Sequence, residues 1–160
     1  MRDAKLDLDD YLPYLVNRVG VIIAEQFGAE TLARHGLSIA MWRVMAVLSS
    51  AGAQRQVDLA GLTSIDVSTL SRIVTRLTQL GLLARSRSAS SNREVTVMLS
   101  AAGAALVATL IPRARAIAGD AAAGLAPEDL AIMKRCLRRI YSNMKNRLPS
   151  TVAVERIGSV

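Results

Sequence analysis

The feature of this sequence that most constrains its fold is a change in the spacing of its apolar residues. Over most of the chain they recur every three or four positions, as in helices with one buried face. After a polar, serine-rich stretch at 86–92 the spacing changes, and Val95, Val97 and Leu99 alternate at period two, as in a strand. The predicted order is therefore four helices, a β-hairpin and two helices, which gives a mainly α fold with a small β-hairpin.

Capping residues and proline place the helix boundaries. Asp9 and Asp10 are expected to form the N-cap region of the first helix, with Pro13 in its first turn and Gly36 after its end near residue 34. Capping serines at 38 and 100 precede the second and fifth helices, and Pro112 falls inside the fifth, where it should kink the helix or leave one hydrogen bond unmade. The remaining helices are expected at about 56–62, 66–80 and 127–148.

Composition limits the class of protein. Aromatic residues make up only 3% of the 160 residues, too few for a typical sandwich or barrel, and the net charge of +7 favours a polyanionic partner. A lone Cys136 allows no disulfide within the chain, and neither a signal peptide nor an 18-residue apolar run is found. We therefore expect a cytoplasmic protein that does not span a membrane, with Cys136 as a buried structural thiol.

The fourth helix carries two contrasting faces. Apolar residues, Val67, Leu70, Val74 and Leu77, lie at spacings of three and four. Hydroxyl, amide and guanidinium side chains occupy the other stripe, with no acidic residue among them. Such side chains suit base edges and phosphates, and a short helix and turn at 63–65 precede them. This arrangement indicates a helix-turn-helix with the fourth helix as reader.

Charge in the following segment supports the same interpretation. No acidic residue lies between Asp66 and Glu94, whereas five arginines do. Arginines on an exposed hairpin next to a reader helix can lie along the DNA backbone or enter the minor groove. An ordinary solvated helix face with a basic loop is the alternative, and the combination of helix, hairpin and basic segment disfavours it. The five arginines are Arg72, Arg76, Arg85, Arg87 and Arg93.

Several segments resemble the MarR family of transcription regulators. Residues 59–72 (LAGLTSIDVSTLSR), 74–77 (VTRL) and 80–85 (LGLLAR) resemble its helix-turn-helix, and 38–44 its second helix. Residues 99–103 (LSAAG) are similar to the exit from the family's hairpin, or wing. The resemblance implies a single domain over 1–160: a winged helix-turn-helix lobe at about 38–99, and dimerisation helices at about 10–36 and 101–148.

The resemblance also implies a role for the site residues. The chain would be a homodimer that binds double-stranded DNA at a pseudo-palindromic operator. It would most simply be a repressor, released by a small effector. Where the family often has Asp-x-Arg at the wing, this chain has 91–93 as Ser-Asn-Arg, so Arg93 matches but lacks the bracing acid. The residues expected to contact DNA are Ser68, Thr69, Ser71, Arg72, Thr75, Arg76, Arg85, Arg87 and Arg93.

An effector pocket is implied between the dimerisation helices and the DNA-binding lobe, commonly taking aromatic acids or related anions such as acyl-thioesters. Tyr14 and Arg18 are four residues apart, so they share a face of the first helix and can present a ring and a cation together. The alternative, of equal weight, is that these aromatic side chains simply pack where the first two helices meet. The candidate residues are Tyr11, Tyr14, Arg18, Trp42, Arg43 and Met45.

Other functional classes are less well supported. A single histidine, His35, lies near a helix end, and no phosphate-binding glycine loop or metal-binding spacing is present. We therefore expect no enzyme activity, no catalytic residues, no cofactor and no metal. A basic helical protein that binds RNA or an anionic membrane surface is the rival class, since the sixth helix is rich in Lys and Arg. Its apolar positions, however, favour a partner helix.

Overall fold

The structure is a computed structural model that describes residues 5–87 and 95–147. The predicted order of helices and hairpin is confirmed in the described part, with a 3-10 helix and one short strand in addition. The elements are α1 (Leu12–Glu30), a 3-10 helix (Leu32–His35), α2 (Ile39–Ala51), β1 (Gln54–Arg55), α3 (Gln56–Thr63), α4 (Val67–Gln79), β2 (Leu83–Arg87), β3 (Val95–Leu99), α5 (Ala101–Ala121) and α6 (Pro127–Lys145).

The start of α1 differs from the prediction. The helix begins at Leu12, so Tyr11 is the N-cap residue and its side chain makes no capping hydrogen bond. Asp9 and Asp10 lie outside the helix, and the Asp9 amide donates instead to the Asp7 carboxylate at 3.1 Å. Pro13 lies in the first turn as expected, since its missing N–H has no partner there in any helix.

Other helix ends follow the residues that sequence reasoning selected. The Ser38 and Ser100 hydroxyls accept from the backbone amides of Met41 and Gly103, as N-cap side chains do. Gly36, at φ 63°, follows the 3-10 helix. The first helix itself ends earlier than predicted, at Glu30, because the chain tightens into that 3-10 turn.

The small sheet has the strand order β1-β3-β2, and both pairings are antiparallel. Strands β2 and β3 form the predicted hairpin, with Leu83 opposite Leu99 and Arg87 opposite Val95. Strand β1 was not predicted, because two residues carry no periodicity. It pairs with β3 and ties the start of α3 to the hairpin.

The core lies where α2, α3, α4 and the sheet meet α5. Buried residues come from each of these elements and from the end of α1, so one continuous cluster links the dimerisation helices predicted from sequence with the winged helix. Its fully buried large side chains are Leu32, Val44, Met45, Leu59, Leu70, Val74, Leu77, Val97, Val107 and Leu110.

Gly103 sets the distance between α5 and the start of the hairpin. A Cβ built at this glycine would lie 2.0 Å from the carbonyl oxygen of Leu82. The Ser100 hydroxyl donates to the carbonyl of Gly81 at 2.6 Å, and the Ser100 amide donates to the Leu82 carbonyl at 3.0 Å. The serine and the glycine together hold α5 against the backbone that enters β2.

Helix α5 is long and apolar enough, by length and composition alone, to cross a membrane. Its buried residues, Gly103, Val107, Leu110 and Ile117, lie along one face and belong to the core. Arg113 also forms an ion pair with Glu30 of α1. This one-sided packing is that of a core helix, which passes the same compositional test. Pro112 lies inside the helix, which continues beyond it to Ala121.

Helix α6 has no buried residue in the single chain. Its apolar side chains, among them Met133, Leu137 and Met144, are exposed. Cys136 is exposed as well, so the prediction of a buried thiol is wrong for the isolated chain. Spacing showed an amphipathic helix, but only the tertiary structure shows that no residue within 5–87 or 95–147 covers its apolar face.

Candidate functional site

Helices α3 and α4 form the predicted helix-turn-helix. Helix α3 is followed by its C-cap Ser64, a non-glycine residue with φ 55°, whose amide donates back to the carbonyl of Ala60. The Ile65 amide donates to the same carbonyl at 3.3 Å. Thr63 is buried, and its hydroxyl donates to the carbonyl of Leu59 at 2.7 Å. These bonds close α3 and turn the chain sharply into α4.

The two faces of α4 are as predicted, with one exception. Leu70, Val74 and Leu77 are fully buried, whereas Val67 is exposed because it lies in the first turn, at the edge of the lobe. The opposite stripe is exposed along its whole length, so the helix presents hydroxyls and two guanidiniums to solvent. The predicted reader residues on this stripe are Ser68, Thr69, Ser71, Arg72, Thr75 and Arg76.

Asp66 caps α4 and also holds a predicted reader residue. Its Oδ1 atom accepts from the Thr69 amide at 2.8 Å and from the Ser68 hydroxyl at 2.6 Å. The bond from Ser68 and the bonds from Thr69 lower the pKa of Asp66 to about 2. The carboxylate is therefore ionised throughout the physiological pH range. Sequence reasoning placed Asp66 at the helix start but did not see this contact.

The hairpin brings one of its arginines to the predicted reader helix, α4. Arg85, in β2, donates from its guanidinium to the Thr75 hydroxyl of α4 at 3.4 Å. Arg87 is the last residue of β2. Arg93 lies outside the described residues. Of the three predicted wing arginines, the structure therefore describes the backbone of two and the side chain of one, Arg85, which contacts α4.

A cavity of about 520 Å³ lies between α1, α2 and α5. Its size is typical of small-molecule sites, and its wall is apolar apart from Arg43 and Ser50. A neighbouring cavity of about 730 Å³ shares Arg43 and also has Asn17 and Glu25 in its wall. The first cavity is lined by Gly20, Ile23, Ala24, Phe27, Ile39, Trp42, Arg43, Ala46, Val47, Ser50, Ala114 and Ile117.

The structure brings only two of the predicted effector residues, Trp42 and Arg43, to this cavity. Trp42 also packs edge-to-face on Phe27, with ring centroids 5.2 Å apart, so it serves the contact between the first two helices too. Met45 is fully buried in the core, and its prediction as a pocket residue is wrong because that face of α2 points into the lobe.

The three candidates on α1 do not line either cavity. Arg18 lies over the Tyr14 ring, 5.5 Å from its centroid, so the two share a face as their spacing predicted. Tyr11 lies at the start of the same helix and is exposed. The cavities lie further along α1, at its small residues.

Sequence reasoning missed the residues that make room for the cavities. Gly20, Ala24 and Gly28 recur every four residues and so lie in one row along α1. All three line the second cavity, and the first two also line the first. This row was a detectable signal, because small residues on an otherwise apolar helix leave space against the neighbouring helix.

Comparisons with known proteins agree with this architecture. The MarR family model matches residues 37–95. A MarR family transcriptional regulator from Silicibacter pomeroyi is 31% identical, covers 88% of this chain and 99% of its own, and has a TM-score of 0.74. BpsR from Bordetella bronchiseptica, whose DNA binding is regulated by 6-hydroxynicotinic acid, is 28% identical over 86% of this chain and 97% of its own, with a TM-score of 0.75.

A second Silicibacter pomeroyi regulator of the MarR family is 29% identical over 87% of this chain and 93% of its own, with a TM-score of 0.81. Comparison with curated protein sequences finds no match. The family assignment rests on agreeing observations. The chain has the helix-turn-helix and the hairpin, it matches the family model, and a relative above 30% identity matches over nearly its whole length. The chain belongs to the MarR family of transcriptional regulators, and it is therefore a winged-helix DNA-binding protein and not an enzyme.

Proposed function

We propose that this chain is a sequence-specific regulator that binds double-stranded DNA with α4 in the major groove. The observation that carries the proposal is the two-sided character of α4. One row of its side chains is fully buried, and the opposite row of hydroxyls and guanidiniums is exposed. A helix anchored in this way can enter the groove without losing core contacts.

The wing would supply contacts beside the helix. Arg85 lies next to Thr75, so its charge adjoins the reader stripe. With Arg87 and Arg93 it would contact phosphates or the minor groove, where narrow A·T-rich segments attract guanidinium groups. These contacts raise affinity for any sequence, whereas the side chains of α4 select the operator.

Titration against duplex DNA, RNA of the same sequence and anionic vesicles tests this function against its rival. We expect the upstream DNA of the protein's own gene to bind in preference to the other two, with an affinity that falls steeply as salt rises, because phosphate contacts release counterions. Equal or tighter binding to RNA or vesicles would instead favour the basic-surface alternative.

The same proposal includes a homodimer formed by residues of about 10–36 and 101–148, with the DNA-binding lobe at about 38–99. Apolar side chains of α1 are exposed, with Ile22 at 61%, and α6 presents a whole uncovered apolar face. Exposed apolar surface of this extent marks an interface. A two-fold dimer would present its reader helices to half-sites about one DNA turn apart on a pseudo-palindrome.

Light scattering at micromolar concentration is expected to give twice the mass of the chain. Leu137→Glu should shift the protein toward monomer, because it places a charge on the apolar face of α6. Arg139→Glu, on the opposite face of the same helix, is the control and should leave the dimer intact. A monomeric unmodified protein would contradict the dimer.

A small effector, such as an aromatic acid or an acyl-thioester, is proposed to occupy the cavity between α1, α2 and α5. Its apolar wall would take a ring or an acyl chain, and Arg43 would bind the carboxylate of an acid. The aromatic acid that regulates BpsR supports this class of ligand. A ligand that binds one arrangement of the lobes several kcal/mol better than the other can release DNA. We propose that the chain is a repressor that its effector releases in this way.

Ala46→Leu is expected to abolish effector-induced release while leaving DNA binding intact, because the larger side chain fills the cavity. Ala51→Leu, exposed at the end of the same helix, is the matched control. Screening aromatic acids and thioesters by DNA release and by quenching of Trp42 provides the measurement. Arg43→Ala should lower potency and Tyr14→Ala should not. If Tyr14→Ala lowered effector potency and Arg43→Ala did not, the effector site would lie near the start of α1 and not in this cavity.

A further inference from the structure

We propose that Asp66 and Ser68 form an acceptor-only pair that selects an adenine or cytosine in each operator half-site. The inference rests on the proposed function, in which α4 lies in the major groove, and adds a rule for one base position. Ser68 is the second residue of α4 and is exposed. The N-terminal residues of a reader helix are those that approach base edges.

A serine hydroxyl has one proton to donate and two lone pairs that accept. In this protein the Ser68 proton is directed to the Asp66 carboxylate, over 2.6 Å. That length is typical of a hydroxyl bonded to a charged oxygen, a bond roughly twice as strong as one between neutral groups. Ser68 therefore faces the solvent as an acceptor, and the neighbouring carboxylate accepts as well.

Turning the Ser68 proton away would remove a hydrogen bond from the Asp66 carboxylate. Its Oδ1 atom already serves the Thr69 amide at 2.8 Å, so the carboxylate is held in place from two directions. The same bonds hold the pKa of Asp66 at about 2, so the carboxylate is ionised and can only accept hydrogen bonds at neutral pH.

Only two groups in the major groove can donate to such a pair. Adenine presents its N6 amino group and cytosine its N4 amino group, whereas guanine O6 and thymine O4 accept. Phosphate oxygens also only accept, and they would be repelled by the carboxylate. Ser68 consequently favours adenine or cytosine and disfavours a phosphate contact at the same place.

The test begins with selection of bound duplexes from a random library by the full-length protein. Each position of the selected half-site is then changed in turn. We expect one position at which adenine or cytosine is preferred about tenfold over guanine or thymine. Ser68→Ala should reduce the preference at that position to below about twofold and leave the others unchanged.

Two further measurements isolate the amino group and the carboxylate. Purine in place of adenine, or 2-pyrimidinone in place of cytosine, lacks only the amino group. The modified duplex should bind the unmodified protein about tenfold more weakly, and its affinity for Ser68→Ala should be unchanged. Asp66→Ser keeps an N-cap acceptor for Thr69 but frees the Ser68 proton, so the preference should fall below about threefold at an unchanged melting temperature.

A Ser68-dependent preference for guanine or thymine would overturn the inference. So would a uniform loss of affinity at all sequences in Ser68→Ala, because that is the behaviour of a phosphate contact. Full retention of the preference in Asp66→Ser would do the same. Failure of the library to enrich any sequence would instead overturn the proposed function, and the two failures are therefore distinguishable.

Discussion

Replacing Gly103 by alanine is expected to lower the free energy of unfolding by about 3 kcal/mol, as overpacking of a tight contact does. The new methyl group would lie 2.0 Å from the Leu82 carbonyl oxygen, so α5 and the start of β2 have to move apart. That movement also strains the bond from the Ser100 hydroxyl to Gly81. Chemical denaturation followed by circular dichroism measures the change.

Gly119→Ala is the matched control in the same helix. A Cβ at Gly119 meets nothing within 4 Å, and alanine is the better helix former, so this variant should be stabilised by about 0.5–1 kcal/mol. Opposite signs for the two glycines would show that the close approach, and not the loss of a glycine, causes the effect. Equal stability of both variants would contradict the tight contact at Gly103.

Replacing Arg72 or Arg76, the two arginines proposed to read DNA, is expected to have the largest effect on DNA binding. Arg72 and Arg76 are one turn apart on the exposed stripe, so at least one should reach a base edge. Its replacement by alanine should cost about 1–3 kcal/mol of binding free energy and relax specificity at one base pair. Fluorescence anisotropy with the selected duplex and single-base variants of it provides the measurement.

Arg115→Ala supplies the control for lost charge, since this arginine is exposed on α5, outside the helix-turn-helix. It should change affinity little and specificity not at all. Arg93→Ala should weaken binding by a similar factor at every sequence, as a backbone or minor-groove contact does. If Arg72→Ala and Arg76→Ala both bound the duplex normally, α4 would not be the reader helix.

Local signals along the chain were sufficient to predict the order of the six helices and the hairpin, and the two faces of α4. Ser38 and Ser100 predicted helix starts because capping is a contact between near neighbours. The opposed stripes of α4 predicted which side is buried, because a helix repeats its faces every 3.6 residues whatever surrounds it. The family resemblance followed from the same segment.

Contacts between distant parts of the chain were decided only by the tertiary structure. Spacing placed Tyr14 and Arg18 on one face but could not show that the cavity lies further along α1, beside Gly20 and Ala24. Likewise, helical periodicity could not show that Met45 packs in the core and does not line the cavity. Which helix a face packs against depends on the arrangement of all the elements, and that information is not contained in local periodicity.

Helix α6 shows the same difference between what the sequence and the tertiary structure determine. Sequence determined that α6 is amphipathic, because its apolar residues recur at helical spacing from Leu130 to Met144. The structure decided that this face, together with Cys136, is left uncovered by the part of the chain that the structure describes. Burial is a property of the whole assembly, because a side chain loses contact with water only when another surface covers it. Periodicity therefore identifies a face that must be covered, while the three-dimensional arrangement decides what covers it.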